Sequence, residues 1–210
     1  MSLSDRWLYV GTTGSGKTTA VRELLRQCRM MYRGLNVYIL DSKGVGDFDH
    51  MGGEMWTHDH PPVPLPAGSG RLQVWQPSHD DLDAYDEWFA RLLKSPDPFI
   101  LDIDELSSVA SKNGDSPVNY QRLMKQGRGK RKSVINCTQE LAYIPRQVVT
   151  QTTHTLRFQL LGEYDPRAGN RLVRRAARDP EPPQYGFYYA RMDKPVAAVL
   201  YRDYKEFFGL

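Results

Sequence analysis

Short apolar runs alternate with longer amphipathic stretches along this chain, and several runs stop at a glycine, an acid or a glutamine. Trp7-Leu8-Tyr9-Val10 ends at Gly11 and reads as a buried strand. From Lys17 to about Arg33, apolar side chains recur at helical spacing (Val21, Leu24, Leu25, Cys28, Met31), and Gly34 supplies the stop. A second strand, Asn36–Leu40, ends at Asp41. Residues 43–70 are dense in glycine, proline, histidine and aspartate, which predicts a loop or lid with residues 49–70 as an insertion. Arg71–Trp75 reads as a strand. Ser78 with Asp81 has the form of a capping box for a helix carrying Leu82, Tyr85, Phe89 and Leu92. Phe99–Ile103 is a buried strand stopped by Asp104-Glu105, and Ser133–Thr138 is another, ending at Gln139.

Between those two strands, Asn113–Pro117 breaks the chain before a short helix and the basic segment Lys125–Lys132. Leu156–Leu161 predicts a strand and Asn170–Arg178 a basic helix, followed by a proline-rich turn (DPEPP). Gly186–Ala190 and Val196–Tyr201 form a candidate C-terminal hairpin over residues 186–201. Strands alternating with helices predict an α/β fold with a mainly parallel central sheet, in a single domain over residues 1–210.

Composition narrows the function classes. Hydrophobic residues at 40% with 11% aromatic can build a core, which excludes a disordered chain. Cys28 and Cys137 are the only cysteines, so a disulfide framework and a CxxC zinc site are both excluded. No apolar run approaches the roughly 18–20 residues of a membrane span, and MSLSDRW lacks a signal-peptide core, so a soluble intracellular protein is expected. The net charge of +3 hides a segregation. Residues 41–120 carry 15 acids and 5 bases, whereas residues 121–178 carry 13 bases and 3 acids. That split suits a polyanion on one face, or identical subunits stacked head to tail.

Gly11-Thr12-Thr13-Gly14-Ser15-Gly16-Lys17-Thr18 matches G-x-x-x-x-G-K-[ST], with Thr19 following. Glycines let backbone N–H groups curl round phosphate oxygens, and the helix that follows offers its positive end. Lys17 can reach β- and γ-phosphates, and the Thr18 hydroxyl can ligate Mg²⁺. Asp104, at a strand end, is a candidate for the metal's water shell, and Glu105 for the general base that activates water. Asp102 competes for the metal role, because strand parity puts it on the same face as Asp104. Gln139 falls beside the γ-phosphate if its strand inserts between the Gly11 and Glu105 strands.

With these residues in place, the sequence resembles the FtsK/HerA superfamily of ring-forming, DNA-pumping ATPases. The likeness rests on GTTGSGKTT at 11–19, YILDSKG at 38–44, FILDIDE at 99–105 and GRGKRKSVINCTQE at 127–140. The resemblance implies a three-layer P-loop NTPase sandwich of the additional-strand, catalytic-glutamate type, using ATP and Mg²⁺. It carries over Lys17, Thr18, Asp104, Glu105 and Gln139, with Arg128 as the arginine finger acting on a neighbour's ATP; Arg122, Arg131 and Arg146 are rivals. It implies a homo-oligomeric ring, six subunits or five, on double-stranded DNA, gripped without base reading by Lys125–Lys132 and Arg167–Arg178. The chain's size is most like the genome-packaging ATPases of membrane-containing, double-jelly-roll viruses. Capsid or virion membrane proteins are then expected partners, and the host cytoplasm or the packaging vertex the expected location.

Three alternatives remain open at this level. One is a nucleoside or small-molecule kinase with residues 49–70 as substrate lid. Another is a cellular or plasmid HerA-like pump, and the third an assembly factor clamped by nucleotide without hydrolysis. His50, His58 and His60 with Asp59 have loose spacing for a metal and read as loop. Tyr185, Phe187, Tyr188, Tyr189 and Tyr201 read as strand positions rather than a base-stacking platform, and Met30 and Met31 as helix packing.

Overall fold

A computed structural model describes residues 2–44, 46–110, 116–139, 144–160, 179–192 and 197–210. The first half of the chain forms β1 (Arg6–Val10), α1 (Lys17–Met31), β2 (Asn36–Leu40), β3 (Glu54–Trp56), β4 (Leu72–Trp75), α2 (Leu82–Lys94) and β5 (Phe99–Ile103). The second half adds α3 (Val118–Gln126), β6 (Lys132–Thr138), α4 (Arg146–Gln151), β7 (His154–Arg157), β8 (Phe187–Arg191), β9 (Val199–Tyr201) and α5 (Tyr204–Phe208). The described strands make one sheet in the order β3-β4-β2-β5-β6-β1-β7-β8-β9. Pairing is parallel from β3 through β7, and β8 and β9 close the sheet as an antiparallel hairpin. The α/β fold with its mainly parallel sheet and the terminal hairpin are therefore as the pattern predicts.

Strand alternation sorts the core into two layers. Leu8, Val10, Leu101 and Ile103 face α2, α3 and α4, whereas Trp7, Tyr9 and Ile100 face α1 and α5. In the first layer Trp75 and Trp88 meet edge-on at 5.1 Å, both fully buried. Burying each such ring stabilises the fold by about 2–3 kcal/mol.

Two buried cations at strand starts finish the helices of that layer. Lys132 Nζ donates to the carbonyls of Leu92, Leu93 and Ser95 at 2.8–2.9 Å, satisfying the end of α2. Arg6 donates to Leu123 O at 3.0 Å and Met124 O at 3.3 Å, doing the same for α3. Gly127 leaves room for this guanidinium: a β-carbon there would lie 2.8 Å from Arg6 Nη2.

Several elements differ from the expectations. Residues 49–70 are not all loop: Asp49–Met51 makes a 3-10 turn and β3 pairs in parallel with β4 as an edge strand. Asp81 alone caps α2, accepting from the N–H groups of Asp83 and Ala84, because Ser78 is drawn away to Asp59. Helix α1 stops at Met31, and Met30 and Met31 are exposed rather than packed, since they fall off the stripe that ends at Cys28. The strand expected at 156–161 is shifted to His154–Arg157, where it pairs with both β1 and β8. Lys132 lies in β6 and is buried, so it leaves the basic surface. Tyr185 lies in a turn before β8, outside any strand. The basic helix expected at 170–178 lies outside the described residues, as does the whole of 167–178 as a DNA-contacting segment.

Candidate active site

The phosphate loop hangs between β1 and α1. Gly11 N–H donates to Thr138 O (3.1 Å) and Thr12 N–H to Gln159 O (2.8 Å), so the loop is anchored to the ends of both neighbouring strands. A β-carbon at Gly11 would lie 2.6 Å from Phe158 Cβ, and Gly16 takes φ +100°, so both positions require glycine. Gly16 caps α1 without a side-chain hydrogen bond, and the first turn of α1 carries no acid. Its first N–H groups are thus free to receive an anion. Lys17 Nζ meanwhile donates to Gly11 O (2.6 Å) and Thr12 O (2.9 Å), and burial lowers its pKa. Thr18 and Thr19 are half-buried, and the Ser15 hydroxyl is buried without a hydrogen-bond partner among the described residues.

Strand β6 does insert between β1 and β5, and that brings the polar strand tips together. Gln139 accepts from the Thr13 hydroxyl at 3.0 Å and donates to Glu105 Oε2 at 3.3 Å. Glu105 Oε2 in turn lies 3.4 Å from Lys43 Nζ, which is 3.1 Å from Asp104 Oδ2. A continuous polar chain thus runs from the phosphate loop through Gln139 and Glu105 to Lys43 and Asp104. Lys43 is the member that pattern reading did not single out. Its one signal was the Asp-x-Lys-Gly stretch at a strand end, and its partners lie on another strand. The turn that carries it is pinned: Asp41 accepts from Gly44 N–H at 3.1 Å and from Gln76 Nε2 at 2.8 Å, and Ser42 is bonded to Ser108 at 2.7 Å.

Charge is concentrated at this strand edge. Burial raises the Asp104 pKa, and Lys43 only partly opposes it. The Lys43 ammonium is disfavoured by burial, but Asp104 and Glu105 outweigh that and raise its pKa. Asp102 is fully buried two residues down the strand, with both oxygens unbonded among the described residues; burial, then Asp104 and Asp41, push its pKa well up.

The residues present fit a Mg²⁺ ion. Asp104 Oδ2 is buried and, among the described residues, has only the ion-pair contact with Lys43, and Thr18 is the second residue of α1. Two protein oxygens suffice for Mg²⁺, which keeps waters and substrate phosphates as its other ligands.

Arg128 lies elsewhere. It is exposed in the 3-10 turn Gly127–Lys130 before β6, whereas Gln139 follows that strand's far end. Seven residues of strand separate the two ends by about 23 Å, so Arg128 cannot reach the phosphate loop of its own chain. Arg122, Arg131 and Arg146 are exposed as well. His58 and His60 stack on one another, and their backbone carbonyls accept from the indoles of Trp75 and Trp56.

No family model and no curated protein sequence matches the chain. Solved structures do. The genome-packaging NTPase B204 of Sulfolobus turreted icosahedral virus 2, in complex with ATPγS, superposes with a TM-score of 0.72 at 15% identity, covering 97% of this chain and 99% of that one. The cytoplasmic domain of the type VII secretion ATPase EccC from Thermomonospora curvata gives 0.64 at 16% identity, over 96% of this chain and 25% of that one. The pCW3 conjugation coupling protein TcpA gives 0.62 at 17% identity, over 95% and 60%. At these identities the likeness is one of fold, and this chain shares the fold of these three proteins.

Proposed function

We propose that this chain is an ATP-hydrolysing motor that translocates double-stranded DNA, of the kind that packages a viral genome into a capsid. The observation that carries the reading is the polar chain Thr13–Gln139–Glu105–Lys43–Asp104 beside the uncapped start of α1. A kinase must keep water from its phosphoryl group, whereas an acid and an amide at adjacent strand tips suit activation of water. The near full-length likeness to B204 supports the packaging reading.

In this reading Lys17 exchanges two neutral carbonyl acceptors for the charged β- and γ-phosphates, a stronger hydrogen-bonding partner. Thr18 and Asp104 would hold Mg²⁺, which would supply positive charge to neutralise the triphosphate. Glu105 takes the proton from the attacking water. Gln139 orients that water, and its bonds to Thr13 and Glu105 tie nucleotide occupancy to β6. Arg128, too far to act in its own subunit, completes a neighbour's site and stabilises charge on the departing phosphoryl. That requires a closed homo-oligomeric ring, six subunits by resemblance. The exposed cations at the end of α3 and in the turn after it, Lys125, Arg128, Lys130 and Arg131, suit contact with the DNA backbone without base reading. Capsid or virion membrane proteins would dock the ring at the packaging vertex.

The test is phosphate release from ATP by the intact protein, with and without linear duplex DNA. Hydrolysis stimulated by duplex of any sequence is expected. Protein that binds nucleotide yet hydrolyses none under either condition would sink the motor. Hydrolysis indifferent to duplex would leave an ATPase and remove the DNA.

A further inference from the structure

The four residues Pro183–Gly186 make a turn that comes to rest against the phosphate loop. Gly186 N–H donates to Pro183 O at 2.8 Å, and the third residue, Tyr185, takes φ +63°. That left-handed position suits glycine or asparagine, and a bulky residue there is a conformational outlier. Tyr185 is also 52% exposed, so burial of its ring does not account for the strained placement. The ring flanks the start of α1: a β-carbon at Gly16 would lie 3.5 Å from Tyr185 Cδ1.

The segment bearing Tyr185 is tied to the sheet. Arg157 donates to Pro180 O (2.9 Å), Gln159 to Pro182 O (3.2 Å), and Leu160 N–H to Glu181 Oε2 (3.3 Å). The tyrosine is thus held in place before any ligand arrives. Strand order then supplies a direction. Glu105 and Gln139 follow β5 and β6 on one side of β1, whereas β7, β8 and Tyr185 lie on the other. A triphosphate whose last phosphate faces Glu105 and Gln139 leads its ribose and base away from them, toward the β7–β8 side.

We propose that Tyr185 is the platform on which the base of the bound nucleoside triphosphate stacks, a role that rests on reading the phosphate loop as a nucleotide site. Its exposed phenol ring offers a π-face to the base, and the strained turn presents that face without reorganisation on binding. Backbone contacts at the phosphate loop grip any triphosphate, so the ring is what separates a nucleotide from inorganic polyphosphate.

The experiment is calorimetric titration of the full chain with Mg·ATP and, separately, with Mg·tripolyphosphate. Tyr185→Ala and Tyr185→Gly are expected to weaken ATP about tenfold, about 1.4 kcal/mol, and to leave tripolyphosphate unchanged. Tyr185→Phe keeps the ring and stays within about twofold of wild type. Tyr185→Gly also controls for folding, because glycine accepts the positive φ and the variant should melt no lower than wild type. ATP affinity unchanged in Tyr185→Gly overturns the proposal. So does a loss shared equally by tripolyphosphate, which would mean that the ring only shapes the loop. Wild-type protein that binds neither probe overturns the nucleotide-site reading itself, and is told apart because no variant is needed to see it.

Discussion

Lys43→Met removes the cation that holds the acid pair, and its effect can be sized. Lys43 Nζ lies 3.1 Å from Asp104 and 3.4 Å from Glu105. At an effective dielectric near 20, each unit pair at such distances attracts by about 5 kcal/mol before desolvation is counted. Stripping one partner from a buried pair costs about 3–5 kcal/mol, because the other charge is left uncompensated. Lys43 is 29% exposed while Asp104 is 1% exposed, so solvent screens part of the loss. We expect about 2–4 kcal/mol of destabilisation on these grounds. Urea unfolding followed by tryptophan fluorescence, first in chelator and then in millimolar Mg²⁺, measures it. If Asp104 is the metal's protein ligand, Mg²⁺ restores the missing positive charge and stabilises the variant more than wild type by mass action. A variant as stable as wild type in chelator would refute the pairing. A variant that is destabilised but gains no more from Mg²⁺ than wild type does would remove Asp104 from the metal.

Three further outcomes follow from the same geometry. Glu105→Gln keeps an acceptor for Gln139 and should retain ATP affinity while turnover falls by about 10²–10⁴; normal phosphate release would take Glu105 out of the base role. Arg128→Ala should abolish turnover without dissolving the assembly, and mixing it with Lys17→Ala subunits should restore part of the activity; mixtures as inert as either variant would end its role in trans. Lys132 is buried, which pushes its pKa down to about 8, against about 10.4 in an unfolded chain. Between those values the unfolded state binds the extra proton, so this group's contribution to stability rises with pH across the window, by about 3 kcal/mol in all. Below pH 8 the buried charge carries its full cost. Urea midpoints from pH 7.5 to 10 should show that rise in wild type relative to Lys132→Met, and parallel profiles would contradict it.

Much of the scaffold was legible because its signals are local. Strand β2 is a largely apolar run closed by Asp41, β5 ends at Asp104-Glu105, and α1 carries its apolar stripe directly after the glycines. Where signals competed, local reading slipped. Ser78 has capping chemistry, but Asp59, 19 residues away, takes its hydroxyl and its N–H. Glu54–Trp56 sits among turn-forming residues, and only β4, supplying an open edge, makes it a strand. Helices α4 and α5 are six and five residues long, too short to display a period.

The site divides along the same line, and the division has a physical cause. Glycines that curl a backbone and acids that end a strand act within a few residues, so their spacing survives in one dimension. A cation is different, since its meaning depends on what surrounds the end of a long flexible stem. Lys132 and Lys43 are both lysines beside a strand in a polar stretch of sequence, yet one ammonium is spent on helix carbonyls and the other on two carboxylates. Neither choice is written near the residue; each is set by which strand lies next door. The order β5-β6-β1 makes that choice for the active site. It places Gln139 between Thr13 and Glu105, and with them Lys43 and Asp104 become one connected group. Removing β6 from that position would leave every motif intact in the sequence and no route between them.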